Sequence, residues 1–177
     1  MQAVLILGAG PLALATARAL CAQGQSVVLA SRSAAPLPTA LVAAGAQTLR
    51  LDVHDASALA LAVGQASAVV HCVQPPYERW AQEFPALTHA IAQAALRAGK
   101  PLVMGDNLYM YGRPQGPLTE DSPSAAHTRK GRVRAAMAAQ LLAMAGQGLQ
   151  VALVRGSDFL AQACAPVPWV SACLCLL

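Results

Sequence analysis

An α/β fold with a parallel sheet is what this sequence predicts, and three observations predict it. Short apolar runs alternate with helix-like segments along the chain. The first run, Val4-Leu5-Ile6-Leu7, passes directly into Gly8-Ala9-Gly10-Pro11-Leu12-Ala13 and an alanine-rich stretch. The 177 residues are 56% hydrophobic and only 11% charged, which suits buried strands covered by helices on both faces.

The elements follow in order. A strand is expected over residues 2–7 and a helix over 11–23, with Pro11 suited to a first helical position. Residues 26–31 form the second strand, 36–44 a short helix and 47–51 the third strand. A helix over 56–64 leads to strand four at 68–72, and one over 83–98 stops at Gly99. Strand five is placed at 101–104. A polar loop rich in proline and glycine spans 105–125, then come a helix over 128–145 and strand six at 150–154. Right-handed crossovers then give the order 3-2-1-4-5-6, a doubly wound Rossmann-type sheet.

The glycine loop is the first chemical signal. Gly8 permits a tight turn out of the strand, and Gly10 permits backbone to approach a pyrophosphate. A small residue at Ala13 lets the helix lie close to the strand. The helix start, with Pro11 and Leu12 among its first residues, offers backbone N–H groups to phosphates from its non-proline positions.

Composition narrows the classes. No apolar run reaches the ~18–20 residues that span a bilayer, and the N-terminus lacks a secretory pattern, so a cytoplasmic chain is expected. Net charge is +4. Four basic residues crowd into Arg129-Lys130-Gly131-Arg132-Val133-Arg134, without the interleaved aromatics of a nucleic-acid surface. The run reads as a solvated helix start or a phosphate-facing edge. The five cysteines show no metal-ligand spacing, and Cys21 and Cys72 read as reduced core residues.

A family resemblance rests on an ordered set of motifs. They are Gly8-x-Gly10-x-x-Ala13, Asp52-Val53, Val69-Val70-His71, Tyr109-Met110-Tyr111-Gly112, Leu118-Thr119-Glu120-Asp121-x-Pro123 and Val154-Arg155-Gly156-Ser157-Asp158-Phe159. In this set the chain resembles the extended short-chain dehydrogenase/reductases, as in nucleotide-sugar epimerases and dehydratases. The match covers roughly residues 1–159, which the resemblance makes a dinucleotide-binding domain.

The resemblance implies a nicotinamide dinucleotide held by Gly8, Gly10, Pro11, Leu12 and Ala13, by Asp52 and Val53 beside the adenine, and by Cys72, Val73 and Gln74. Asp52 has a helix cap as its alternative role. NAD-preferring members carry an acidic residue after strand two, where this chain reads Ser31-Arg32-Ser33. Arg32 can pair with a 2′-phosphate and the serines can donate to it, so NADP is expected, with NAD as the alternative. Substrate, a small molecule such as a nucleotide sugar, would lie beside Gln74–Tyr77 and Asn107–Tyr111.

The catalytic pattern departs from the family. Its Tyr-x-x-x-Lys pair has no tyrosine here, and Arg129 or Lys130 falls near that place. Asn107 stands where the family has Ser or Thr. Lys130, if partly buried, is the alternative base. Tyr111 and Tyr109 are candidates for substrate or nicotinamide contact, or simply loop packing. The chain is therefore expected to be an oxidoreductase or epimerase/dehydratase-like protein of little activity. A non-catalytic redox sensor and an inactive fragment are the alternatives.

The tail, residues 160–177, holds three of the five cysteines and one of the two tryptophans. One synonymous codon series for it, read in a shifted frame, yields Gly-Pro-Gly and a family-like continuation. The expectation is an out-of-frame apolar tail and a missing substrate domain, with a short natural variant as the alternative.

Overall fold

The computed structural model describes residues 2–156. Six strands pair in parallel, in the order β3-β2-β1-β4-β5-β6. They are β1 Val4–Leu7, β2 Val27–Ser31, β3 Gln47–Arg50, β4 Ala68–His71, β5 Leu102–Asn107 and β6 Val151–Gly156. The helices between them are α1 Pro11–Ala22, α2 Thr39–Ala43, α3 Ala56–Gln65, α4 Trp80–Ala98 and α5 Arg129–Ala145. The central strand β1 pairs on both sides, Val4 with Val27 of β2 and with Ala68 of β4.

Alternation along β1 builds two cores. Leu5 and Leu7 join the cluster that contains Leu59, Phe84, Ile91 and Leu141 from α3, α4 and α5. Val4 and Ile6 join the cluster that contains Ala13, Ala17, Leu20 and Leu41 from α1 and α2. A strand sends successive side chains to opposite faces, so an unbroken apolar run is what a doubly covered sheet needs. The edge strand β3 has no such cover on its outer side, and its four residues are exposed.

Three boundaries differ from the sequence expectation by three residues. The short helix α2 covers only Thr39–Ala43, because Pro36 and Pro38 hold the preceding backbone extended and Pro38 becomes its cap. Helix α4 begins at Trp80, after a 3-10 turn at Tyr77–Arg79, and runs through Pro85. Strand β5 continues to Asn107 instead of ending at Met104, since Gly105, Asp106 and Asn107 pair with Val154, Arg155 and Gly156 of β6. A 3-10 turn at Leu108–Tyr111 follows, inside the segment expected to be loop. The 160–177 tail and the Ser157-Asp158-Phe159 end of the last motif lie outside the described residues.

Candidate functional site

The site begins where β1 ends. On one side the chain returns as β2 and on the other as β4, so a crevice opens at the carboxyl ends of the strands. Gly8 bridges that gap. Its N–H donates to the Ala30 carbonyl at 2.8 Å. Its φ is +119°, and a Cβ there would sit 3.1 Å from the Cys72 carbonyl group. Only glycine suits that backbone. Gly10 differs. Its φ of −77° is ordinary, and a Cβ there would meet no atom within 4 Å. Protein packing does not require glycine at that position, but close approach of a ligand would.

Gly10 caps α1 without a side-chain hydrogen bond, and no acidic residue stands in the first turn. The N-terminal N–H groups and the positive end of the helix dipole are thus left for an anion. Ala13 is fully buried against the sheet. Leu12 lies over β5 at Gly105, where an added Cβ would come within 2.6 Å of its Cδ2 atom.

A cleft of about 1020 Å³ extends from this loop. Of the cofactor residues read from sequence, Gly8, Gly10, Pro11, Leu12, Ala13, Ser31, Arg32, Asp52, Val53, Cys72, Val73 and Gln74 line it. Ser33 is exposed and is not part of the lining. Arg32 is exposed at the end of β2 and has no acidic partner among the described residues. Asp52 accepts from the His54 N–H at 3.0 Å. It does not cap α3. Asp55 takes that role, accepting from the Ser57 and Ala58 N–H groups. Cys72 is half-buried, not a core residue in the strict sense, and burial pushes its thiol up to about 12 against an opposing hydrogen bond from Thr16. It is no nucleophile near neutral pH.

The catalytic candidates are brought together only in part. Asn107 is buried and lines the cleft, and its Oδ1 accepts from the Tyr109 N–H at 3.1 Å, capping the 3-10 turn. Tyr109 lines the cleft as well. Tyr111 does not. It is buried, and its hydroxyl accepts from Arg155 Nη1 at 3.1 Å. Lys130, expected to be partly buried, is exposed. Its Nζ lies 3.8 Å from the centre of the Tyr77 ring, in a smaller hollow with Arg129 and Trp80 rather than in the cleft. The reason is local: Lys130 follows the Thr128 cap on the outer side of α5, whereas Gly131 and Arg134 face inward.

Arg134 is the residue that sequence reasoning missed. It is 2% exposed and lines the cleft. Its Nη1 donates to Asp106 Oδ1 at 3.1 Å, and its Nη2 donates to Gln74 Oε1 at 3.1 Å. The guanidinium lies 4.5 Å from the Trp80 ring centre and 4.6 Å from that of Phe84. Burial pulls its pKa below the ordinary value, and the Asp106 carboxylate opposes that. Asp106 also accepts from Arg155 Nε at 3.2 Å. Helical phase was the available signal. Arg134 falls on the buried stripe with Gly131, Ala138 and Leu141, so one of the four clustered cations had to point inward. It also follows Lys130 by four residues, keeping the spacing of the Tyr-x-x-x-Lys pair with lysine in the tyrosine's place and arginine in the lysine's.

No protein-family model matches the chain, and no curated protein matches it in sequence. Solved structures do match. The UDP-glucose 4-epimerase from Brucella ovis, in complex with NAD, aligns at 21% identity and a TM-score of 0.75, over 89% of this chain and 54% of that one. MoeE5, in complex with UDP-glucose and NAD, aligns at 25% identity and a TM-score of 0.69, over 86% and 52%. The Bordetella bronchiseptica enzyme WbmH, in complex with NAD+, aligns at 20% identity and a TM-score of 0.70, over 89% and 56%. The chain thus spans about half the length of these structures. Among the described residues, no helix is long and apolar enough to cross a membrane. The resemblance carried by the motifs is met in the fold, and the chain has the Rossmann-type α/β architecture of these NAD-bound structures.

Proposed function

We propose that the cleft binds a nicotinamide dinucleotide, and that the chain is the cofactor-binding portion of an epimerase/dehydratase-like oxidoreductase. One observation carries this reading. Gly10 stands at an uncapped helix start, at the point where the strand order reverses, with neither backbone strain nor packing to explain the glycine. The pyrophosphate belongs on the first turn of α1. The adenine lies beside Asp52 and Val53, and the nicotinamide lies toward Gln74, Asn107 and Tyr109. Bound there, the nicotinamide would supply or accept hydride. The chain's own contribution is to hold the phosphates on backbone N–H groups and to orient the far end of the cleft through the Gln74–Arg134–Asp106 contacts.

NADP is the preferred form in this proposal, because Arg32 is a cation on the cleft wall, without an acidic partner among the described residues, where an acidic residue would favour NAD. A charge-assisted contact of this kind is worth about 1.5–3 kcal/mol. Calorimetric titration of Arg32→Ala should show that loss for NADPH and almost none for NADH. Equal losses for both would reject the assignment. The substrate of the whole protein is proposed to be a nucleotide sugar, as bound by the MoeE5 structure.

A second reading, a non-catalytic redox sensor, is favoured by one observation. The first turn of α5 presents exposed Arg129 and Lys130 and no tyrosine. General acid–base groups typically contribute about 10²–10⁴-fold in rate, so their absence is felt in turnover and not in binding. Dinucleotide binding without NADPH oxidation, across aldehydes, ketones and nucleotide sugars, would select the sensor.

A further inference from the structure

Among the described residues, the charge around Asp106 does not balance. One carboxylate accepts from two guanidiniums, Arg134 and Arg155, so the trio carries a net positive charge. Asp106 is 2% exposed and the two arginine side chains are 2% and 15% exposed. A buried charge is costly unless something pairs it. Among the described residues, the other ionisable groups nearby do not do so. Glu83 on the cleft wall is paired with Arg79 at 2.9 Å. His71, packed edge-on to Phe84 with ring centres 6.1 Å apart, carries no negative charge in any state. Tyr111 is an acceptor for Arg155, not a counter-ion.

Arg134 also has donors to spare. A guanidinium has five N–H donors. Two are engaged, by Asp106 and Gln74, and Nε, although buried, has no acceptor among the described residues. The stacking of Trp80 and Phe84 against the guanidinium, with Trp80 anchored through its Nε1–H to the Pro75 carbonyl at 3.0 Å, fixes the group in place. A rigid, under-neutralised, donor-rich cation on a cleft wall is an oxyanion receptor.

We propose that Arg134 is the recognition residue for an oxyanion carried by the second ligand of the cleft, a phosphate ester or a carboxylate, at the end away from Arg32. The proposal rests on the cofactor reading above for which ligand comes first, and it names the chemistry of the other. The Gln74 side-chain oxygen accepts from Nη2, and Gln74 lines the cleft on the segment leaving β4.

Trp80 gives a readout that needs no turnover. The chain has two tryptophans, so Trp169→Phe leaves Trp80 alone to report. In that background, Trp80 emission is titrated with sodium phosphate and with sodium malonate, at constant ionic strength set by chloride. Each titration is run with and without saturating NADP+, whose own binding is measured by calorimetry. A saturable change in the presence of NADP+ is expected, and phosphate against malonate decides between ester and carboxylate. Arg134→Gln should weaken the responding anion by about 10- to 100-fold. Arg97→Ala, at an exposed cation near the end of α4 and outside the cleft lining, should leave it intact. Arg134→Lys keeps the charge but not the fork, and a response that is weakened yet present would support the proposal even if the glutamine variant does not fold. No saturable change in the parent chain would overturn it. So would an unaltered response in Arg134→Gln, or a response that NADP+ abolishes, which would place the anion in the cofactor's own phosphate site. If NADP+ fails to bind, the cofactor reading falls, and the titrations without it still judge Arg134.

Discussion

Gly8 and Gly10 are two residues apart and should fail in opposite ways when substituted. Gly8→Ala imposes a side chain on a φ of +119° and against the Cys72 carbonyl, so stability should fall by about 1–3 kcal/mol. Gly10→Ser adds a good helix cap in open space, so stability should hold or rise while dinucleotide affinity falls at least about tenfold. Urea unfolding beside calorimetric titration separates the two, and a Gly10→Ser protein that binds normally would remove the case for the phosphate loop. His71 makes a third residue-scale prediction. Its Nε2 is 3.1 Å from Thr88 Oγ1, and burial, with Arg134 adding to it, lowers its pKa from 6.5 to about 3. Between those two values the unfolded chain binds a proton that the folded chain does not, so stability must fall as pH drops through that window. The slope from this one group is at most about 1.4 kcal/mol per pH unit. His71→Gln should flatten the stability–pH curve between pH 6.5 and 4, and an unchanged slope would show that His71 does not titrate as described.

At the scale of elements, the Asp106 cluster ties β5, β6 and α5 together. Removing one partner of a buried ion pair typically costs about 3–5 kcal/mol, because the remaining charges are left uncompensated. Asp106→Asn leaves two arginines facing a neutral amide, so it should destabilise by an amount in that range. An effect of the size of an exposed pair, under about 1 kcal/mol, would mean that water reaches the cluster. The cluster also explains what the sequence concealed. Strands with plain apolar runs were legible, as was α1 with its glycine loop. Gly105-Asp106-Asn107 has turn-like composition, and nothing local marks it as strand. Pairing with β6 and the two arginines make it one, and both partners are far away in sequence. The same applies to the cofactor residues against the catalytic ones. Arg32, Asp52 and the glycines lie near the strand ends that encode them, and all line the cleft. Lys130 and Tyr111 do not line the cleft, because helical phase and the 3-10 turn decide which way they face, and for Tyr111 loop packing was the alternative reading.

For the whole molecule, the sheet order places every proposed ligand contact on the carboxyl ends of the strands, while both hydrophobic clusters lie behind them. Binding there therefore couples to global stability. The phosphate loop joins β1 to α1, Arg32 follows β2, Asp52 follows β3, and Arg134 lies on α5, so an occupied cleft links most of the layers. A ligand selective for the folded state at about 100 times its dissociation constant adds about 2.7 kcal/mol. In a chain of this size, that corresponds to a rise of about 5–10 °C in Tm. NADPH should give this shift. If Arg32 contributes about 1.5–3 kcal/mol to the 2′-phosphate, NADH binds roughly 10- to 150-fold more weakly. At the same concentration its shift should then be only about 1–5 °C. Arg32→Ala should bring the NADPH shift down to that of NADH and leave the melting temperature of the unliganded chain unchanged, since Arg32 is exposed and has no acidic partner among the described residues. Equal shifts for the two cofactors in the parent chain would remove Arg32 as the selector, while no shift for either would count against the cleft as a dinucleotide site.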